Sequence, residues 1–191
     1  VTYWDPMPTV AASAGLEVAN LPERLLGAPE AYLRGLWEHR DWRNVPGPFY
    51  GAWTDSCWVG REVAPMNVVY EDDFGGEVVY RQPENAAEVR LVLTAAWSDP
   101  YRSYAADGDA HWTPALVREW WAARGRLAAW IDGLEGRWAV SERADEREAA
   151  GGLRDFRRYL GGGLEAQLRG YAFWLERRRA PEPGEALPLL R

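Results

Sequence analysis

TPALVREWWAARGRLAAWIDGLEGRW, residues 113–138, decides the fold. Thr113 offers a side-chain acceptor immediately before Pro114, and proline suits the first helical position because the N–H it lacks has no intrahelical partner there. Behind this start signal, Leu116, Trp120, Leu127, Ile131, Leu134 and Trp138 recur at separations of three, four or seven residues. That spacing puts them on one face of a helix, so the stretch predicts an amphipathic helix whose apolar stripe must be covered by other elements. Gly125 is the place where it could break or kink.

Toward the carboxyl end, the charged residues 141–150 read as a solvated helix face or a connection. Leu153, Phe156 and Leu160 predict a short helix that Gly161, Gly162 and Gly163 end. Leu164, Leu168, Tyr171, Ala172 and Leu175 define a last long helix, closed by Pro181 and Pro183. Residues 181–191 then form an extended tail.

Toward the amino end, Tyr101 to Trp112 reads as a loop. Val89, Val92, Leu93, Ala96 and Trp97 predict a helix begun at Pro83 and stopped by Asp99-Pro100. Residues 67–70 and 77–81 read as strands joined by a turn at Asp72, Asp73, Gly75 and Gly76. Residues 46–60 are rich in rings and interrupted by glycine. If extended, they place Phe49, Gly51, Trp53, Asp55 and Cys57 on one face and supply a third strand. Pro29 opens a helix to about Arg40, with Leu33, Leu36 and Trp37 on one side. Asn20 and Glu23 form a capping box for an earlier helix carrying Leu21, Leu25 and Leu26 and ended by Gly27. The sum is an α+β fold: a mainly helical layer or bundle on a small antiparallel sheet of about three strands, in a single globular domain over residues 1–180.

Composition narrows the function classes. The 191 residues carry 29 acidic and 22 basic side chains, a net charge of -7. A duplex binder needs a basic footprint to neutralise phosphates, so nucleic acid is not an expected partner. Arg177, Arg178 and Arg179 form the one cationic run, in a last helical turn where cations complement the helix dipole. Every basic residue is arginine and Ile131 is the sole isoleucine, a bias that suggests a GC-rich genome. The single cysteine, Cys57, excludes an intrachain disulfide and a four-cysteine cluster. The chain opens on nothing like a signal peptide, and no run of about twenty apolar residues offers a membrane span. The expected location is the cytoplasm, with no membrane partner.

Four features could carry chemistry. Asp107, Asp109 and His111 would point the same way from an extended loop and are all metal-ligand types. The calcium-loop pattern fails, since Trp112 stands where glycine is needed and Arg118 where glutamate is. The same residues also read as a polar turn before a capped helix, and neither a metal nor a cofactor is assigned. Asp55 and Cys57 could share a face with Trp53, although a thiol without a local histidine or helix N-terminus reads first as a cysteine buried in a strand. His39 stands at a predicted helix C-terminus, where its charged form is favourable. Finally, the 12 tryptophans and 9 tyrosines exceed what one core needs. Trp97, Trp120 and Trp138 are core by periodicity, while Trp121 and Trp174, each beside another ring, can reach the surface.

WRNVPGPFYG at residues 42–51 and HWTP at 111–114 resemble small uncharacterised actinobacterial proteins of this length. The resemblance implies no established activity.

Two readings follow. One is a non-catalytic interaction or accessory protein that holds a protein partner, such as a basic toxin, through an acidic, Trp/Tyr-rich surface including Trp121 and Trp174. The other is a small-molecule binder or enzyme of specialised metabolism. Tyr50, Trp53, Trp58, Asp107 and Trp112 would then line its pocket, and His111, Asp109, Asp55 and Cys57 would supply the chemistry.

Overall fold

The computed structural model describes residues 27–191. The capping box at Asn20 and Glu23 and its helix lie outside the described residues. The fold is α+β. Two compact units follow each other along the chain, the first ending at Gly108 and the second running from Asp109 to Arg191. No helix among the described residues is long and apolar enough to cross a membrane.

In the first unit, strands β1 (Tyr50–Gly51), β2 (Val68–Tyr70), β3 (Glu77–Val79) and β4 (Tyr104–Ala105) accompany helices α1 (Gly60–Val63) and α2 (Ala86–Ser98). The strands form two antiparallel ladders, β1 with β4 and β2 with β3, where a single sheet of about three strands was expected. The ladders are separate because side chains stand between them. Asn44, buried in the gap, accepts from the Gly51 and Val79 N–H groups at 2.9 and 2.8 Å. Its amide donates to the carbonyls of Gly51 and Asp41, each at 2.9 Å. Thr54 Oγ1 accepts from the Glu77 N–H at 2.8 Å and donates to the Glu77 carbonyl at 3.1 Å. These contacts satisfy backbone groups that a full-length neighbouring strand would otherwise pair.

The helix expected from Pro29 to Arg40 is instead two 3-10 turns, Pro29–Ala31 and Trp37–His39. Tertiary pairing overrides helical periodicity between them. Arg34 and Gly35 N–H groups donate to the Arg102 and Tyr104 carbonyls at 2.9 Å, and Gly35 packs so closely on the Ser103 carbonyl that a side chain would collide. Helix α2 starts later than Pro83, at an Asn85 cap whose side chain accepts from the Glu88 N–H at 3.0 Å. Trp97, expected in the core, is 52% exposed.

From α3 (Gly108–His111), which begins at the last residue of the first unit, the second unit continues through α4 (Pro114–Ala122), α5 (Arg124–Ala139), α6 (Ala144–Gly162) and α7 (Leu164–Arg177). Thr113 caps α4, accepting from the Leu116 N–H at 3.2 Å. The break falls at Ala123, two residues before Gly125, where φ -81° and ψ 2° end one helix and begin the next. That corner resets the helical phase. Val117 and Trp121 therefore face the core of α4, while Leu116 is 38% exposed and Trp120 only half-buried. Beyond the corner, Leu127, Ile131, Leu134 and Trp138 are buried as the stripe predicts. The charged residues 144–150 belong to α6, which is longer than the expected short helix and buries Leu153 and Phe156 against α5. All five positions that define α7 are buried. The tail lacks regular structure but is docked. Arg169 donates to the Leu187 and Pro188 carbonyls at 3.0 Å, and Leu190 is buried.

Candidate functional site

The first unit holds a buried carboxylate. Glu77, on β3, accepts hydrogen bonds from Ser56 Oγ and, at 2.8 Å, from the Tyr104 hydroxyl. Gly60 lies so close to this carboxylate that any side chain there would strike it. Burial pushes the Glu77 carboxyl up to about 7, opposed by the hydroxyl bonds from Ser56 and Tyr104 and reinforced by the charge of Asp99. Asp99 is itself buried and accepts from the Tyr101 N–H at 3.0 Å, the Ser103 N–H at 2.7 Å and the Asp55 N–H at 3.3 Å. The Tyr104 hydroxyl is raised well above its ordinary value, first by burial and then by the Glu77 charge.

These carboxylates tie down residues 52–60 from beneath. Thr54 grips the backbone of Glu77 and Ser56 grips its side chain. Ser56 Oγ also accepts from the Gly60 N–H at 2.7 Å. The intervening residues are thrown outward, and three of them have left-handed backbones: Trp53 at φ 59°, Cys57 at 55° and Trp58 at 69°. Such conformations cost about 1–3 kcal/mol each for residues with a Cβ and persist only where surrounding structure enforces them. The stretch is therefore a folded loop and not the extended strand that alternation predicts. It displays what a strand would have buried. Trp53 is 72% exposed and lies flat on His39, with ring centroids 3.8 Å apart and planes 12° apart. Trp58 packs on Tyr70 at 4.6 Å, and the Tyr70 hydroxyl donates to the Trp58 carbonyl. Cys57, read from sequence as a buried strand residue, is exposed. Its N–H donates to Asp55 Oδ1 at 3.0 Å in a local turn.

The other candidates are placed as follows. Tyr50 is buried and donates to Asp107 Oδ1 at 2.7 Å, a contact between two segments singled out from sequence. Burial, followed by this bond, raises the Tyr50 hydroxyl far above its ordinary value. Asp109 accepts instead from the Tyr171 hydroxyl at 2.7 Å. Desolvation raises the Asp109 carboxyl, against the pull of Tyr171 and Arg178. The helical turn at residues 108–111 thus turns the two carboxylates to different tyrosines, where an extended loop would have aligned them with His111. Among the described residues, no group of three His, Cys, Asp or Glu side chains could hold a metal ion. His111 is half-buried and Trp112 buried. Trp121, expected at the surface, is buried with Arg124 over its ring at 4.7 Å. Trp174 is half-buried, stacked on Tyr171 and covered by Arg178 at 4.8 Å.

A second acidic knot lies beside β2. Arg43 bridges Asp41, at 2.7 Å, and Glu71. Burial first, and then a hydrogen bond with Asp41, push the Glu71 carboxyl up to about 8. Sequence reasoning passed over Glu71, Glu77, Asp99, Ser56 and Thr54. The signal available was the alternation of small hydroxyls at 54 and 56 with rings at 53 and 58.

Fold and loop together define an α+β protein that presents a tryptophan on a carboxylate-anchored loop. The chain matches no protein-family model, no curated protein and no solved structure.

Proposed function

We propose that this chain is a non-catalytic interaction protein that holds a basic protein partner through the loop around Trp53. One observation carries the reading: a largely exposed tryptophan is locked in a left-handed conformation, stacked on His39 and tethered from below by Thr54 and Ser56. Exposed aromatic surface normally costs solubility, and backbone strain costs stability. A rigid ring that loses little freedom on binding repays both at an interface, where tryptophan is a frequent hot spot. Charge supports a basic partner. Residues 27–108 contain 13 acidic and 7 basic side chains, a net charge of -6, whereas residues 109–191 contain 13 and 14. Such a field steers a cationic partner and weakens with salt. A toxin-neutralising or accessory role in the cytoplasm of an actinobacterium fits this chemistry.

The test is affinity capture from cells of the source organism, followed by native mass spectrometry of the reconstituted complex. Wild-type protein is expected to retain one basic protein at fixed stoichiometry. Trp53→Ala should weaken that complex about 30-fold, the loss of a hot spot worth about 2 kcal/mol. A complex unaffected by Trp53→Ala, or an acidic partner, overturns the reading.

A further inference from the structure

The second unit contains a cavity of about 350 Å³ where its two helix corners approach each other, at Ala123 between α4 and α5 and at Gly163 between α6 and α7. We infer that this cavity binds a small monocarboxylate with an apolar body, held by the guanidinium groups of Arg124 and Arg157. It involves none of the residues of the Trp53 loop and does not depend on that reading.

Three features carry the inference. Arg124 is held in place on the cavity wall, its guanidinium stacked 4.7 Å from the Trp121 ring centroid and donating to the Trp121 carbonyl at 3.0 Å. That bond takes one of five N–H donors, and a fixed guanidinium fork suits a carboxylate. Arg157, across the cavity, pairs with Asp132 at 3.2 Å, with both side chains about half exposed. An ion pair so exposed is weak and yields to a better-placed anion.

The second feature is glycine where the fold requires none. Gly125, Gly161 and Gly162 line the cavity, none has a left-handed backbone, and a Cβ added at any of them would meet nothing within 4 Å. Alanine is the better helix former at each position. Gly133 and Gly136 are equally unencumbered, so bareness alone marks no site. The three named here are the ones whose side chains would narrow an opening flanked by arginines.

The third feature is the sign and size of the lining charge. Two arginines and one acid, Glu165, line the cavity, so the lining carries one net positive charge, which matches a single negative charge on a ligand that displaces Asp132 from Arg157 and does not match a dianion. Leu160 and Ala128 provide the apolar wall for the rest of the ligand.

The experiment is a titration of the full chain with benzoate, benzamide and inorganic phosphate, followed through the backbone amide resonances of Gly125, Gly161 and Gly162. Benzoate at about 10 mM should produce saturating shifts confined to this corner, as a millimolar affinity would. Benzamide, of the same shape without the charge, should produce none, and phosphate should bind at least about tenfold more weakly than benzoate. Arg157→Gln should weaken benzoate about tenfold, and Gly162→Leu, which adds a side chain into open space and keeps both arginines, should abolish binding. Absence of saturable shifts, equal response to benzamide or phosphate, or benzoate binding that survives both variants overturns the inference.

Discussion

The two units of the chain solve the same problem by opposite means. In residues 109–191, four long helices satisfy their own backbone groups, and the buried side chains are apolar or aromatic: Val117, Leu127, Ile131, Trp138, Phe156 and Leu168 among them. In residues 27–108, the strands are two or three residues long and cannot satisfy one another. Every buried polar or charged side chain among the described residues lies there: Asn44, Thr54, Ser56, Asn67, Glu77, Gln82 and Asp99. Gln82 is representative, accepting from the Phe49 N–H at 3.1 Å and donating to the Val45 and Phe49 carbonyls at 2.9 and 2.8 Å. Where regular structure is short, buried amides and carboxylates stand in for the missing strands. The cost is desolvation, and the return is a backbone that can hold Trp53, Cys57 and Trp58 in conformations a regular sheet would forbid.

The sharpest way to break this contrast is Asn44→Leu, which keeps the size of the side chain and removes its hydrogen bonds. Four hydrogen bonds are lost: the Gly51 and Val79 N–H groups lose the side-chain acceptor they share, while the Asp41 and Gly51 carbonyls each keep a backbone donor, the N–H of residue 44 and of Asp41. At about 1 kcal/mol for each bond, and more where the orphaned group stays buried, the loss should reach about 4 kcal/mol in urea unfolding. A loss below about 1 kcal/mol would show that apolar packing, and not Asn44, joins the two ladders.

A second measurement isolates the buried carboxylate. The folded-state value of Glu77, about 7, lies above its ordinary 4.5. Its favourable contribution is therefore complete below pH 4.5 and is lost as pH rises through 7. The full loss is about 3 kcal/mol, at about 1.4 kcal/mol for each tenfold change in proton affinity. Glu71 titrates in the same direction, so the diagnostic quantity is the difference between wild type and Glu77→Gln. The variant should be the more stable protein at pH 8, with the advantage vanishing near pH 4.5. Equal pH profiles for the two proteins would mean that Glu77 does not carry a buried charge.

This division also explains what sequence could reveal. Periodicity located α5 and α7 because a long helix repeats its apolar signal, and Leu127, Ile131, Leu164 and Leu168 each confirm it. Thr113-Pro114 is a local signal and was legible for the same reason. Gly125 marked the break to within two residues, but the phase reset at Ala123 was not legible, because a glycine shows where a helix can bend and not by how much the next one is turned. It exchanged the roles of Leu116 and Val117 and buried Trp121. In the first unit, Glu77 stands inside a predicted strand and Asn44 inside the stretch 42–51, and nothing in their neighbours marks either as buried. Their partners, Ser56, Tyr104 and Val79, lie 21 to 35 residues away. The loop around Trp53 was visible as a run of rings, but its left-handed turns depend on those distant bonds and have no glycine to announce them.

The smallest expected effect tests the other side of the contrast, in which the helical unit relies on backbone regularity and tolerates change at its surface. Gly133 lies inside α5, is exposed, has no left-handed backbone and faces open space. Replacement by alanine restricts the unfolded chain and strains nothing in the folded one, so Gly133→Ala should stabilise the protein by about 0.5–1 kcal/mol. Gly60→Ala in the other unit is chemically the same change, but its methyl group would collide with the Glu77 carboxylate. The two variants, compared by thermal unfolding, should move the midpoint in opposite directions. If both stabilise, the carboxylate can give way, and the rigidity ascribed to the loop above it is lost with it.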